Sequence, residues 1–200
     1  MVTSNHIHLL VRSDEEDTIS KSMQYVAGRT GQDYNRRKSR KGAYWEDRYH
    51  ATAVESGEHM LRCMLYIDMN MVRAGVVRHP SEWDECGFKE VLTPRERYSL
   101  IHREGLLSSL DLSDQDELGE NYPMWLDETM ANDRAKFDDR WSFSVAVGSD
   151  SFVEGVRHQL GLSEMSHQIE SDDVGSILRE PDVEYGENNW VPLFLDESSV

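Results

Sequence analysis

The sequence predicts an α+β chain, and three patterns carry that prediction. In residues 5–12, Asn-His-Ile-His-Leu-Leu-Val-Arg, the apolar Ile7, Leu9 and Val11 alternate with His6 and His8, the two-residue period of a strand. After Ser56, the apolar Met60, Leu61, Met64, Leu65, Met71 and Val72 recur at helical spacing. Near the other end, Trp141-Ser-Phe-Ser-Val-Ala-Val reads as a strand and residues 149–160 as the helix that follows it.

The elements follow in order. The strand over residues 5–12 gives way to Asp14-Glu-Glu-Asp-Thr18, acids suited to the first turn of a helix that continues through Ile19, Met23 and Val26, with Gly28 and Gly31 weakening its middle. The run Arg36-Arg-Lys-Ser-Arg-Lys-Gly42 leads into Ala-Tyr-Trp-Glu-Asp-Arg-Tyr-His, a turn entering a strand at Ala53 and Val54. Ser56 resembles an N-cap, with Glu58 and His59 in the first turn of the next helix, and Gly75 suits its C-terminal cap. His79-Pro-Ser-Glu-Trp83 is turn-rich. A short helix is expected to start at Leu92, then acidic loop to about residue 120 and a helical patch over residues 122–130. From Glu164 to Val200 the chain is acidic with little periodicity, the composition of a largely disordered segment.

Two hundred residues allow one ordinary domain or two small ones. The net charge of −17 speaks against a nucleic-acid binder at face value. Its distribution removes that objection: residues 1–100 carry 15 basic and 15 acidic side chains, residues 101–200 carry 6 and 23. The deficit belongs to the second half, where solubility is the plain reading. The sequence divides accordingly at residue 100. No apolar run is long enough to span a membrane, no charged-then-apolar leader is visible, and Cys63 and Cys86 form no metal-type cluster. The expectation is a cytoplasmic protein with reduced thiols and no membrane partner.

Three features could carry chemistry. Alternation on a strand sets His6 and His8 side by side, which suits bidentate metal binding; two ordinary histidines on a half-exposed strand are the plainer alternative. Arg62, Tyr66, Asn70 and Arg73 share one helical face. That face is either merely solvated, or it combines a phenol able to attack phosphorus, an amide oxygen able to ligate a hard metal and guanidinium groups able to neutralise phosphate. The third is the basic run Arg36, Arg37, Lys38, Arg40 and Lys41 beside Tyr44, Trp45, Arg48 and Tyr49. It is a solvated turn, or a surface where cations follow a phosphate backbone and aromatics stack on unpaired bases.

Asn5-His-Ile-His-Leu-Leu, Trp45-Glu-Asp-Arg-Tyr and Tyr66-Ile-Asp-Met-Asn70-Met-Val-Arg-Ala-Gly75 stand in an order that resembles the REP-associated tyrosine transposases, single-tyrosine members of the HUH nuclease superfamily. The resemblance covers residues 2–100. Residues 92–185 resemble the tail of some members through Arg140-Trp-Ser, Ala146-Val-Gly-Ser and Leu178-Arg-Glu-Pro. The resemblance implies a ferredoxin-like antiparallel sheet with helices on one face, followed by an acidic mixed C-terminal extension over residues 101–200. It implies that Tyr66 is the nucleophile and that His6, His8 and Asn70 hold Mg²⁺ or Mn²⁺; with that activity, the basic and aromatic residues Arg36, Arg37, Lys38, Arg40, Lys41, Trp45, Arg48, Arg62 and Arg73 are the ones expected to face DNA. The implied activity is nicking and rejoining single-stranded DNA at hairpins through a 5′-phosphotyrosine, by a monomer or a homodimer. The alternative is a non-catalytic DNA-binding remnant. The family places a strand and a helix ahead of the histidine strand, and only five residues precede His6 here, so a domain lacking both is expected. Two smaller departures, Thr3-Ser4 where Met-Pro is common and Met71 where Pro is common, spare the assigned positions.

Overall fold

The computed structural model describes residues 1–3, 6–132, 137–163 and 167–179. Along them run α1 (Thr18–Arg37), β1 (Ala53–Val54), α2 (Glu58–Asp68), α3 (Asn70–Arg73), a 3-10 turn (Pro80–Glu82), α4 (Phe88–Leu92), α5 (Arg103–Ser109), α6 (Gln115–Ala131), α7 (Arg140–Phe143), β2 (Ser144–Gly148), α8 (Asp150–Gln159), β3 (Ile169–Ser171) and β4 (Ser176–Arg179). The α+β class holds. The sheet has the order β1-β2-β4-β3, with β1 parallel to β2 and the other neighbours antiparallel. It thus differs in make-up from the expected all-antiparallel sheet: one strand comes from the first hundred residues and three from the second.

Two cores hold the elements. Met64, Leu65 and Met69 pack with Phe88 and Val91 of α4 and with Leu118, Tyr122 and Leu126 of α6. Val145 and Ala146 of β2 pack with Val153 and Val156 of α8 and with Leu178 of β4. Glu55, just past β1, ties the two regions together. Its backbone N–H donates to Val147 at 3.0 Å, and its carboxylate accepts from the backbone N–H and hydroxyl of Ser149 at 2.5 and 2.9 Å. Ser149 also caps α8, its hydroxyl accepting from the N–H of Phe152 as its place before the helix predicts. Gly148 is required here, because a Cβ on it would lie 2.9 Å from that of Glu55.

Several expectations need correction. The strand over residues 5–12 does not form: its described part makes one isolated bridge, Val2 with Ile7, and Leu9, Leu10 and Val11 are exposed. Alternation alone does not make a strand, which needs a neighbour for its N–H and C=O groups, and among the described residues only residues 1–3 pair with it, over residues 6–8. Helix α1 begins at Thr18, so the acids at residues 14–17 precede it, and Gly28 and Gly31 do not interrupt it. The N-cap of α2 is Gly57 at φ 75°, not Ser56; Gly75 takes φ 69° and ends α3 as predicted. The helix expected to start at Leu92 instead ends there. Thr93, preceding Pro94, is extended, as proline's ring demands of its predecessor. The expected acidic loop holds α5 and the start of α6, whose N-cap Asp114 accepts from Glu117 while Glu117 reaches back to the N–H of Ser113. Trp141 to Phe143 are helical, and the strand starts at Ser144. Within the stretch expected to be disordered, residues 169–179 form the β3–β4 hairpin, turned by Asp172, whose carboxylate accepts from the N–H groups of Val174 and Gly175. Residues 164–166 and 180–200 lie outside the described residues.

Buried carboxylates anchor the helical core. Glu90 accepts from the N–H of Leu100 at 2.6 Å and of Ile101 at 3.0 Å, from the hydroxyl of Ser99 at 3.0 Å, and pairs with Arg95 at 3.1 Å. Burial would raise its pKa, but these donors win and hold it low. Asp68 is only 4% exposed and accepts from the Tyr122 hydroxyl at 2.8 Å. One hydrogen bond does not offset its burial, and its pKa rises to about 6.

This has a measurable consequence. The folded state holds the Asp68 proton more tightly than the unfolded chain, so its contribution is complete below the ordinary carboxylate range. It is lost as pH rises through about 6. A shift of that size corresponds to about 3 kcal/mol. Asp68→Asn keeps an acceptor for Tyr122 without the charge. Urea denaturation should find it about 2–3 kcal/mol more stable than wild type at pH 8, with a smaller difference at pH 5; a pH-independent difference contradicts the assignment.

Candidate functional site

Helices α2 and α3 run almost as one. Met69 donates to Leu65 at 2.9 Å and Arg73 to Met69 at 2.9 Å, so helical phase survives the joint. One face therefore enters the core through Met64, Leu65 and Met69, and the other aligns Arg62, Tyr66, Asn70 and Arg73.

The opening segment lies against this second face. It folds back on itself through His8 N–H to Met1 at 2.9 Å and Thr3 N–H to His6 at 2.9 Å. It is pinned to the body by Val2 N–H to Glu85 at 2.8 Å and the Trp83 indole to the Val2 carbonyl at 3.0 Å. His6 and His8 face the same way without a regular strand: their rings are nearly parallel, 18° apart, with centroids 6.3 Å apart. His6 is exposed and His8 half-buried. His8 Nε2 lies 3.2 Å from the Asn70 side-chain nitrogen. With Asn70 donating, that ring nitrogen is an acceptor and the imidazole neutral. Burial holds the His8 pKa below the histidine range, and His6, the N-terminal ammonium and Arg73 push it the same way. A neutral imidazole is the form that ligates metals.

Tyr66, one turn before Asn70, is only 8% exposed. Arg73 covers it, with its guanidinium carbon 3.9 Å from the ring centroid and Nη2 donating to the Tyr66 carbonyl at 2.8 Å. On another side lies Trp141 of α7, with ring centroids 6.2 Å apart. The solvated-face reading of this stripe is thereby corrected: Tyr66 is buried, Asn70 and Arg73 half-buried. Burial pulls the Arg73 pKa down, opposed by Tyr66 and Asp138. Arg73 thus lies across the tyrosine ring rather than extending into solvent, and Arg62 turns back to Glu58, Nη2 to Oε1 at 2.5 Å.

The basic run is placed elsewhere. Arg36 and Arg37 end α1, Arg36 pairs with Asp33 at 2.7 Å, and Lys38 is the C-cap. Arg40 donates to the Ala43 carbonyl at 2.9 Å, and Lys41 and Arg48 are exposed. Trp45 is half-buried and its indole N–H is spent on the Ala27 carbonyl of α1 at 3.0 Å; with Tyr44 against Tyr34, it fastens the turn to the helix. Arg48 and Trp141 border the same broad void as Tyr66 and His8, and residues 36–41 do not.

Trp141 is the site residue that sequence reasoning missed. The Arg140-Trp-Ser motif marked the position, but nothing local connects it to Tyr66. Among the described residues, no cluster of three or more His, Cys, Asp or Glu side chains could hold a metal. The candidate ligand set is two imidazoles and the Asn70 amide.

Residues 1–70 fit the model of the IS200-like transposase family, a segment that holds His6, His8, Tyr66 and Asn70. No curated protein and no solved structure matches the chain. No helix among the described residues is long and apolar enough to cross a membrane.

The packing of Arg73 is testable without any activity. Arg73→Ala removes both the cation over Tyr66 and the bond to its carbonyl. Urea denaturation should show a loss of about 1–3 kcal/mol. An unchanged midpoint would mean that Arg73 is free of the tyrosine in solution.

Proposed function

We propose that this chain is a transposase of the single-tyrosine HUH type, of the REP-associated kind, that nicks and rejoins single-stranded DNA at hairpins. The observation that carries the reading is the 3.2 Å approach of His8 to Asn70, across 62 residues of chain, one helical turn from Tyr66. The family match over residues 1–70 supports a transposase; the hairpin substrate and the REP-associated subtype rest on the ordered motifs.

In this reading the Tyr66 phenol loses its proton and its oxygen attacks a DNA phosphorus. A tyrosine–phosphorus bond forms and the bond from phosphorus to the 3′-oxygen breaks. The departing oxygen takes a proton, leaving a 5′-phosphotyrosine and a free 3′-hydroxyl. Rejoining is the reverse attack by a 3′-hydroxyl. His6, His8 and Asn70 would hold Mg²⁺ or Mn²⁺, which when bound polarises the scissile phosphate. The donor set fits: His8 presents a neutral ring nitrogen beside an amide, with the His6 ring parallel to it. Two imidazoles favour Mn²⁺ at least as much as Mg²⁺. For its own part, the chain fixes Tyr66 and Asn70 on one helical face.

A second reading, a DNA-binding remnant without catalysis, is favoured by the burial of Tyr66 and by the exposure of the apolar Leu9, Leu10 and Val11 after His8. The two separate on a denaturing gel. Wild type incubated with Mn²⁺ and a single-stranded hairpin oligonucleotide should give a covalent adduct, and Tyr66→Phe none. Asn70→Leu should need about 10- to 100-fold more Mn²⁺ for the same yield. DNA binding with no adduct from the wild type identifies the remnant.

A further inference from the structure

We propose that Trp141 is a positioning residue for Tyr66: its indole fixes the direction of the tyrosine ring, so that the second half of the chain sets the aim of the nucleophile. The proposal rests on the strand-nicking reading above and extends it to a residue outside the segment that matches the family model. Helical phase fixes the backbone of Tyr66 but leaves its side-chain torsions to the neighbours. Two groups restrain the ring. Arg73 lies over it, with the guanidinium carbon 3.9 Å from the centroid, but Arg73 belongs to the same helical face and moves with it. Trp141 approaches from another element, with centroids 6.2 Å apart and planes at 40°, within the range of aromatic pairs. Of these two, only Trp141 refers the ring to the rest of the molecule.

The place of Trp141 is itself fixed. The adjacent Arg140 is buried and pairs with Asp138 at 2.7 Å and Asp172 at 2.8 Å. Helix α7 ends at Phe143 and β2 begins at Ser144, pairing with β1 on one side and β4 on the other. From β1 the chain enters α2 by way of Glu55, the residue bonded to Ser149. The indole therefore meets Tyr66 from a frame that begins at the root of the tyrosine's own helix. Neither ring belongs to either of the two cores. Filling those cores does not call for this contact. Aiming a phenol at phosphorus does, because an error of about 1 Å in the attacking geometry can cost on the order of 100-fold in rate.

The first measurement needs no DNA. The full chain is nitrated with tetranitromethane, and its tyrosines are scored by peptide mapping. The exposed Tyr25 and Tyr98 report the reagent, and the fully buried Tyr122 reports the fold. Trp141→Ala should raise nitration of Tyr66 toward that of Tyr25 while Tyr122 stays protected, and Trp141→Phe should stay near wild type. The second measurement is the rate of adduct formation with Mn²⁺ as the concentration of hairpin oligonucleotide is varied. Trp141→Ala should lower the maximal rate about 10- to 100-fold with the half-saturating concentration unchanged, and Trp141→Phe should recover most of that loss. If Trp141→Ala also opens Tyr122, Trp141→Leu, which keeps apolar bulk, is judged by the same criteria. Wild-type nitration of Tyr66 in the variant judged, nitration of Tyr122 in both variants, or a loss confined to the half-saturating concentration overturns the positioning role. Selective nitration of Tyr66 in a variant, with no adduct from the wild type, upholds the hold of Trp141 on Tyr66 and removes the nuclease reading. A wild-type adduct formed at the same rate by Trp141→Ala upholds the nuclease reading and removes the positioning role.

Discussion

The helical phase carried from α2 into α3 is the constraint on which the rest of this structure depends. Eight positions, Met64 to Met71, must serve two surfaces at once. Met64, Leu65 and Met69 bury themselves against α4 and α6, and that burial fixes the rotation of the helix about its axis. Once the rotation is set, Tyr66, Asn70 and Arg73 have no choice of direction. They form a second face, which meets the histidine segment on one side and α7 on another. A slip of one residue in the core would turn Asn70 away from His8, so packing energy and site geometry are a single quantity here.

The cover over that face comes from two parts of the chain. The opening segment brings His8, held by the contacts of Val2 with Glu85 and Trp83. The second half brings Trp141, held by the ion pairs of Arg140 and by β2, and Glu55 links β2 and α8 to the start of α2. A half-buried carboxylate bonded to a helix N-terminus is a strong tie. It makes the acidic half part of the site's framework. The net charge of −17 therefore describes a surface and leaves the contribution of this half to the site untouched.

What was legible in the sequence follows from the range of the forces involved. The helix after Ser56 was legible because apolar spacing is local, and Gly75 because a left-handed cap favours glycine. The helix over residues 149–160 was legible to within a residue at each end, Ser149 proving to be its N-cap. The histidine pair was legible as a pair, but not its backbone: residues 5–12 have a strand's alternation, and pairing depends on a neighbour that no local pattern reveals. The β3–β4 hairpin was missed because its strands are only three and four residues long; its one signal was Asp172 ahead of Gly175, a turn closed by side chain on backbone. Trp45, apparently a ring for DNA, is spent on Ala27. Trp141 on Tyr66 is a long-range contact, and only coordinates could place it.

The central claim is that Tyr66, set beside His8 and Asn70, is the group that bonds to DNA. Peptide mapping by mass spectrometry, after incubation with Mn²⁺ and a single-stranded hairpin, tests it most directly. The account predicts a nucleotide joined through phosphate to the peptide containing Tyr66, and to no other. Attachment at a different residue, or unmodified Tyr66 in protein that binds the strand, would contradict it.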